Sequence, residues 1–422
     1  MRTLASIVTI EKCWNLEGKD RVQGCSFVEN SYEAMIGKDL KEGDLAVFIQ
    51  EGAILPVEPR WEFLRKRCFR EDLDGFLIKP QKFSSIKSWG LTVSLKDAGL
   101  EGYKAGDDVT SLLKIRKYEP REDASPVKEE KYPKFIKFCF KHKLTRWIAF
   151  IWRNSKKSGS YEFPSYIISK SDETSVQNLK GVLEEYKEEP VYVTAKIEGQ
   201  SFTALCEYKH NKAKKFYVCS RNKAYKKDDN SIFWKVAKNL DIETKLRKHF
   251  KETGQCLVIQ GEQVGPEIQS NVYNLPKNTW YIYTIKDQVT GKQLPLDEAL
   301  KVSLKFGIPF VPVICQNTKL KEIMPDVKSA ESYAEKYFWK PDSILYMPSK
   351  EEKLWQDYLQ HEGVVVRSMN YDKDSGIGCS FKVKNLEYQE KSLKSIFDVA
   401  YKLSLKTGHS LWIILADFAL GG

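Results

Sequence analysis

Pro190-Val191-Tyr192-Val193-Thr194-Ala195-Lys196-Ile197-Glu198-Gly199 is the stretch on which the fold of this chain turns. Its first half is rich in β-branched and aromatic residues, the composition of a strand. Lys196 and Glu198, two apart on an extended segment, face the same side. Gly199 permits a tight turn or a close backbone approach beside them. Four islands follow in order: Ser220-Arg221-Asn222, Gln260-Gly261-Glu262, Glu362-Gly363 running into Val364-Val365-Val366-Arg367, and Phe381-Lys382-Val383-Lys384. Singly, each is ordinary: a solvated strand lysine, a Glu-Gly turn, a half-exposed strand. The ordered set is specific, because each island sits beside its own short apolar run.

Around that stretch strands and helices mix, so the class is α+β. Thr203–Tyr208, Lys215–Cys219, Leu257–Ile259, Trp280–Ile285 and Val364–Val366 read as strands. Ser175–Lys187, Asn230–Phe250, Leu294–Phe306 and Ala330–Phe338 read as helices. Residues 1–120 differ. Ala5–Ile10, Leu45–Ile49, Ile78–Pro80 and Gly90–Leu95 are short strand signals, separated by turns such as Glu42-Gly43-Asp44. Short strands must close to hide their edges, which makes a small OB-type β-barrel the simplest architecture. Glu33–Ile36 and Glu62–Arg65 read as short helical insertions. Residues 121–160 break the β pattern. A linker-like run, Glu119–Pro126, precedes Lys131–Lys157, which holds nine basic residues and no acidic one, with aromatics near helical period. That segment reads as an interdomain helix with solvated lysines, as a basic strip along a nucleic-acid backbone or, less readily, as a membrane-surface helix. Residues 161–422 form the second domain.

A chain of 422 residues can bury a real core. Its net charge of +11 favours a polyanionic partner. The nine cysteines are scattered and odd in number, with no Cys-x-x-Cys pair. That points to an intracellular, reducing compartment, cytoplasm or nucleus, without a disulfide framework or zinc site. No signal peptide is expected, and no apolar run reaches the roughly 20 residues that span a bilayer. The apolar run Leu411–Leu415 reads as the buried end of a helix.

The islands suit one chemistry. A lysine amine attacks the α-phosphate of a nucleotide, carboxylates hold ribose and metal, and closing lysines neutralise phosphate. Such an amine must shed its proton, although the ordinary lysine pKa is about 10.4. Desolvation and nearby positive charge, here from Lys382 and Lys384, would lower it. Glu262 and Glu362 offer the oxygen ligands that magnesium prefers. No GxxxxGK[ST] loop is present, which disfavours a Walker-type enzyme.

These motifs resemble those of ATP-dependent RNA ligases of the covalent nucleotidyltransferase superfamily, in the class with an N-terminal OB domain. The resemblance covers most of the chain. It includes Leu4–Ile10, Gly43–Val47, Pro59–Leu64, Gly106–Thr110 and Lys117–Pro120 in the first domain. In the second it includes Phe163-Pro164-Ser165, Lys170–Glu173, and Gln260-Gly261-Glu262 followed by Gly265-Pro266 and Ile268–Asn271. It implies an OB-type barrel followed by a mixed α+β, ATP-grasp-like nucleotidyltransferase domain. It also implies roles. Lys196 forms the lysyl-AMP, with Lys382 and Lys384 on the α-phosphate. Glu198 and Arg221 serve the ribose or the phosphate path, and Glu262 and Glu362 the ribose and the metal. Tyr281 or Tyr283 stacks on adenine. Two departures stand out: Glu198 where the family often has Asp, and Thr284 where an Asp is common.

The resemblance implies ATP and Mg2+ or Mn2+ as cofactors, and RNA ends or a nicked duplex as partners, with no membrane. The OB domain and basic segment would hold the nucleic acid, more for sealing than for the nucleotide step. The alternatives are a DNA ligase or capping guanylyltransferase, which usually place the OB domain last, and a non-catalytic nucleic-acid-binding protein on a ligase scaffold.

Overall fold

The computed structural model describes residues 3–83, 86–118, 160–170, 173–209, 212–227, 231–269, 271, 273, 275–336, 362–372, 376–386 and 388. The 121–157 linker and basic segment and the 411–415 run lie outside the described residues.

In the first domain five antiparallel strands lie in the order Gly90–Ser94, Leu45–Gln50, Ala5–Asn15, Val22–Phe27, Glu33–Gly37. The central strands alternate between two cores rather than between core and water. Ile7, Val47 and Ile49 pack with Trp61 and Phe76. Val8, Ala46 and Phe48 pack with Phe27 and Tyr32. The sheet edges meet where the Trp89 N–H donates to the Glu33 carbonyl at 3.2 Å and the Met35 N–H to Ser88 Oγ at 3.3 Å. The barrel is thus nearly closed, which removes the exposed edges.

Three local expectations change. Glu33–Ile36 is strand, not helix: Ala34 and Ile36 are buried and alternate with more accessible Glu33 and Met35. Four residues cannot distinguish a period of 2 from 3.6, and barrel closure demands a strand. The strand expected at Ile78–Pro80 lies earlier, at Gly75–Leu77; Pro80 has no N–H to extend a ladder. The helix expected at Glu62–Arg65 falls on a 3-10 turn, Pro59–Leu64, running into the single turn Arg65–Cys68.

The second domain sets two antiparallel sheets against each other. One has six strands in the order Ser160–Glu162, Lys223–Tyr225, Lys212–Cys219, Gln200–Lys209, Leu257–Val264, Thr279–Asp287. The other runs Val313–Lys319, Pro190–Lys196, Gly363–Ser368, Ser380–Lys384. Helices Ile232–Asn239, Ile242–Thr253 and Leu296–Phe306 cover the outer face of the larger sheet. Val191, Val193, Val364, Val366, Phe381 and Val383 pack outward against Leu320, Met324, Ala330 and Ala334. By alternation the intervening residues Thr194, Lys196, Val365 and Lys382 face inward, between the sheets. The helix expected over Asn230–Phe250 is two helices, parted at Asp241 with φ of 50°. Ser175–Lys187 holds only the 3-10 turn Val176–Asn178 and the single turn Val182–Glu185, separated by Gly181 at φ of 85°. Among the described residues no helix is long and apolar enough to cross a membrane.

The domains share packing. Leu386, just past the last strand, is 1 % exposed and lies in the first domain's Phe27–Phe48 cluster. The Trp89 indole N–H and the Gln177 side-chain amide both donate to Glu331, at 3.0 and 2.9 Å. Gln50 Nε2 donates to Asn178 Oδ1 at 3.1 Å.

Candidate active site

Strand register assembles the site. Lys196 lies opposite Gly363, which lies opposite Lys384, while Thr194, Val365 and Lys382 form the next inward-facing row. Across the cleft, Ser201, Glu262 and Tyr281 form a row of the larger sheet. Between the sheets is a cavity of about 460 Å3. Lys196, Glu198, Arg221, Glu262, Tyr283, Glu362 and Lys382 all line it, so seven of the nine residues singled out from sequence meet there. Tyr281 and Lys384 do not line it. Tyr281 packs with Ile197, Val264 and Tyr273, and Lys384 forms an ion pair with Glu51 of the first domain.

Two motif glycines allow this approach. A Cβ on Gly199 would overlap the Gln263 carbonyl oxygen. Gly363 has φ of +141°, and a Cβ there would overlap the Val383 carbonyl oxygen and sit 3.0 Å from Lys384 Cα. The two glycines flank the lysine and its carboxylate, and their bareness brings the strands together. The Glu198 backbone is also pinned, its N–H donating to the Tyr273 hydroxyl at 2.7 Å.

Lys196 forms an ion pair with Glu362. Burial alone would lower the lysine pKa, but Glu362, then Glu262 and Glu198, outweigh it and raise the pKa above its ordinary value. The direction is opposite to the sequence-based expectation. Three carboxylates surround the amine, and Lys384, expected to add positive charge, is engaged by Glu51. Glu262 is pushed up to about 8, first by burial and then by Glu362 and Glu198, against Lys196 and Arg221. Glu198, Glu262 and Glu362 thus crowd around a single lysine, and a divalent cation would relieve their mutual repulsion. Among the described residues no three His, Cys, Asp or Glu converge closely enough to cage a metal by themselves. Glu262 and Glu362 therefore fit an ion that keeps waters and takes further oxygens from a phosphate, as magnesium and manganese do.

Sequence reasoning assigned no role to Arg367, which is 3 % exposed and joined to Glu173 at 2.8 Å. Burial alone would lower its pKa, but Glu173 and Tyr192 more than offset this and raise it, keeping the guanidinium charged. Glu173 also accepts from Ser380 Oγ at 2.5 Å, and Arg367 donates to the Tyr283 carbonyl at 3.5 Å. This cluster fixes the wall beside Tyr283. An arginine closing a run of valines was its signal in the sequence. Lys117 and Tyr118 of the first domain also line the cavity; the family resemblance includes them but gave them no role.

The segment that carries these residues has counterparts among known proteins. Residues 189–384 match the family model for RNA ligase, and residues 4–95 match a model for an OB-fold domain. The segment 189–384 is thus an RNA ligase domain standing behind an OB-fold domain, as the motif resemblance implied. Comparison with curated proteins gives no match. Among solved structures the chain is similar to Naegleria gruberi RNA ligase. A variant with ATP and Mn aligns at TM-score 0.68 and 22% identity, over 93% of this chain and 98% of that one. The same ligase with pyrophosphate aligns at 0.68 and 22%, over 93% and 99%. A variant with AMP and Mn aligns at 0.67 and 22%, over 93% and 100%. The shared architecture therefore extends through both domains.

Proposed function

We propose that this protein is an ATP-dependent RNA ligase joining a 3′-hydroxyl to a 5′-phosphate through a covalent lysyl-AMP. The observation that carries the reading is the convergence of Lys196 with Glu198, Glu262, Glu362, Arg221 and Lys382 in one cavity with Tyr283 on its wall. The Lys196 Nζ lone pair forms a bond to the α-phosphorus of ATP. The bond from that phosphorus to the bridging oxygen breaks, and pyrophosphate leaves with the electron pair. Lys196, an ammonium in its pair with Glu362, gives one proton to that carboxylate before attack, and the second leaves with the pyrophosphate as the P–N bond forms. Lys382 meets the α-phosphate charge as it develops, and Lys384, paired with Glu51, holds the end of the strand that carries it. Tyr283 stacks on adenine, while Glu198, Glu262 and Arg221 hold the ribose and line the phosphate path. Mg2+ or Mn2+ at Glu262 and Glu362, when bound, screens the phosphates. A 5′-phosphate oxygen of RNA then attacks the lysyl-AMP phosphorus, and Lys196 leaves and regains its protons. Finally a 3′-hydroxyl attacks the adenylylated end and AMP departs. The nucleotide and ion seen with the Naegleria gruberi ligase support the same choice here.

Sealing of a 5′-labelled nicked duplex and of single-stranded RNA ends tests the reading. Sealed product should need both ATP and divalent metal, and should vanish in Lys196→Ala. Binding without sealing, under every ATP and metal condition, would favour a binding protein on a ligase scaffold.

A further inference from the structure

The Lys384–Glu51 ion pair crosses the domain boundary, with side chains only 15 % and 9 % exposed. Glu51 is held rigidly by its own domain. Its N–H donates to the Trp89 carbonyl at 3.2 Å, and the next residue, Gly52, donates to Ile78 at 2.9 Å and accepts from Tyr118 at 2.7 Å. Lys384 is equally fixed. It ends the strand that carries Lys382 and lies opposite Gly363, in the row that contains Lys196. The chain on either side is committed too: the Asn385 N–H donates to the Glu362 carbonyl at 3.0 Å, and Leu386 packs into the first domain's core.

We propose that Glu51 is a positioning residue for the nucleotide step. It holds Lys384, and through Lys384 it fixes the strand end that places Lys382 and the Glu362–Lys196 pair. The OB domain is then part of the apparatus that adenylylates Lys196, as well as a surface for nucleic acid. This deepens the ligase reading and rests on it. Removing one partner of a buried ion pair leaves the other uncompensated, so the effect of losing Glu51 should be large. Glu51 is also separable from docking as such, because Trp89–Glu331, Gln50–Asn178 and Leu386 hold the domains together independently.

The test is the single-turnover rate of label transfer from α-phosphate-labelled ATP at saturating ATP and metal, followed for hours so that slow variants are quantified. Glu51→Ala and Glu51→Gln are measured in the full chain, each also in a Lys384→Ala background, with thermal melts as a folding control. Glu51→Ala should slow labelling more than about tenfold, with Glu51→Gln between it and wild type. In the Lys384→Ala background, Glu51→Ala should add less than about twofold, because the two residues act as one unit. Wild-type labelling by Glu51→Ala, or an equal loss in both backgrounds, overturns the proposal and leaves the ligase reading standing. A wild-type protein that takes no label overturns both.

Discussion

Gly363→Ala isolates the device that seats Glu362 against Lys196. Two costs follow from the structure. A φ of +141° is a conformation L-residues rarely adopt, and such strain costs about 1–3 kcal/mol. The new Cβ would also overlap the Val383 carbonyl oxygen. That atom belongs to the backbone of the paired strand, so relief requires the strand to move, at about 1–3 kcal/mol. Together they amount to roughly 2–6 kcal/mol, a large share of a typical stability of about 5–15 kcal/mol. The same movement displaces the Glu362–Lys196 pair and Lys382, and misplacement by about 1 Å costs on the order of a hundredfold in rate. The assays are urea unfolding and single-turnover labelling with ATP. Gly254→Ala is the control, because its φ is +73° but nothing lies within 4 Å of a Cβ there. It should carry the strain cost alone and leave labelling intact. Gly363→Ala with a destabilisation below about 1 kcal/mol and wild-type labelling would refute the close-approach argument.

Glu331→Ala leaves the Trp89 N–H and the Gln177 amide without their buried acceptor, which should cost roughly 2–6 kcal/mol in urea unfolding. The carboxyl of Glu331 is raised above its ordinary 4.5, chiefly by burial, so the folded protein holds that proton more tightly than the unfolded chain. The associated stability is present below about pH 4.5 and is lost as pH rises through the raised folded value. Glu331→Gln should flatten that slope, and an unchanged pH profile would contradict it. Lys382→Ala removes the cavity lysine proposed to meet the α-phosphate and should cut labelling by about a hundredfold or more while the protein still melts cooperatively; near-normal labelling would exclude that role.

Much of the site was legible because a strand's period of 2 is strict. Once Lys196 and Lys382 were placed on strands, their inward direction followed from the valines and phenylalanine that alternate with them. The lysine's charge state was not legible, because it depends on Glu262 and Glu362, distant in sequence and gathered only by sheet pairing. Lys384 shows the limit most clearly. Alternation placed it on the correct face, but its partner Glu51 lies in another domain and belongs to no local pattern. Glu33–Ile36 failed for the same reason, since only closure of the barrel selects strand over helix for so short a run. The break at Asp241 within Asn230–Phe250 does mark the periodicity: counted at about 100° per residue, Ile242 and Leu246 fall roughly opposite Phe233, Val236 and Ala237.

The most direct measurement is incubation with ATP labelled at the α-phosphate and Mg2+ or Mn2+, followed by denaturing electrophoresis, with Lys196→Ala and labelled GTP alongside. The ligase reading predicts a label that survives denaturation, comes from ATP and disappears in Lys196→Ala. Label from GTP alone would redirect the site toward capping chemistry. A folded protein, shown not to be already adenylylated, that takes no label from either nucleotide would contradict the catalytic role of Lys196 outright.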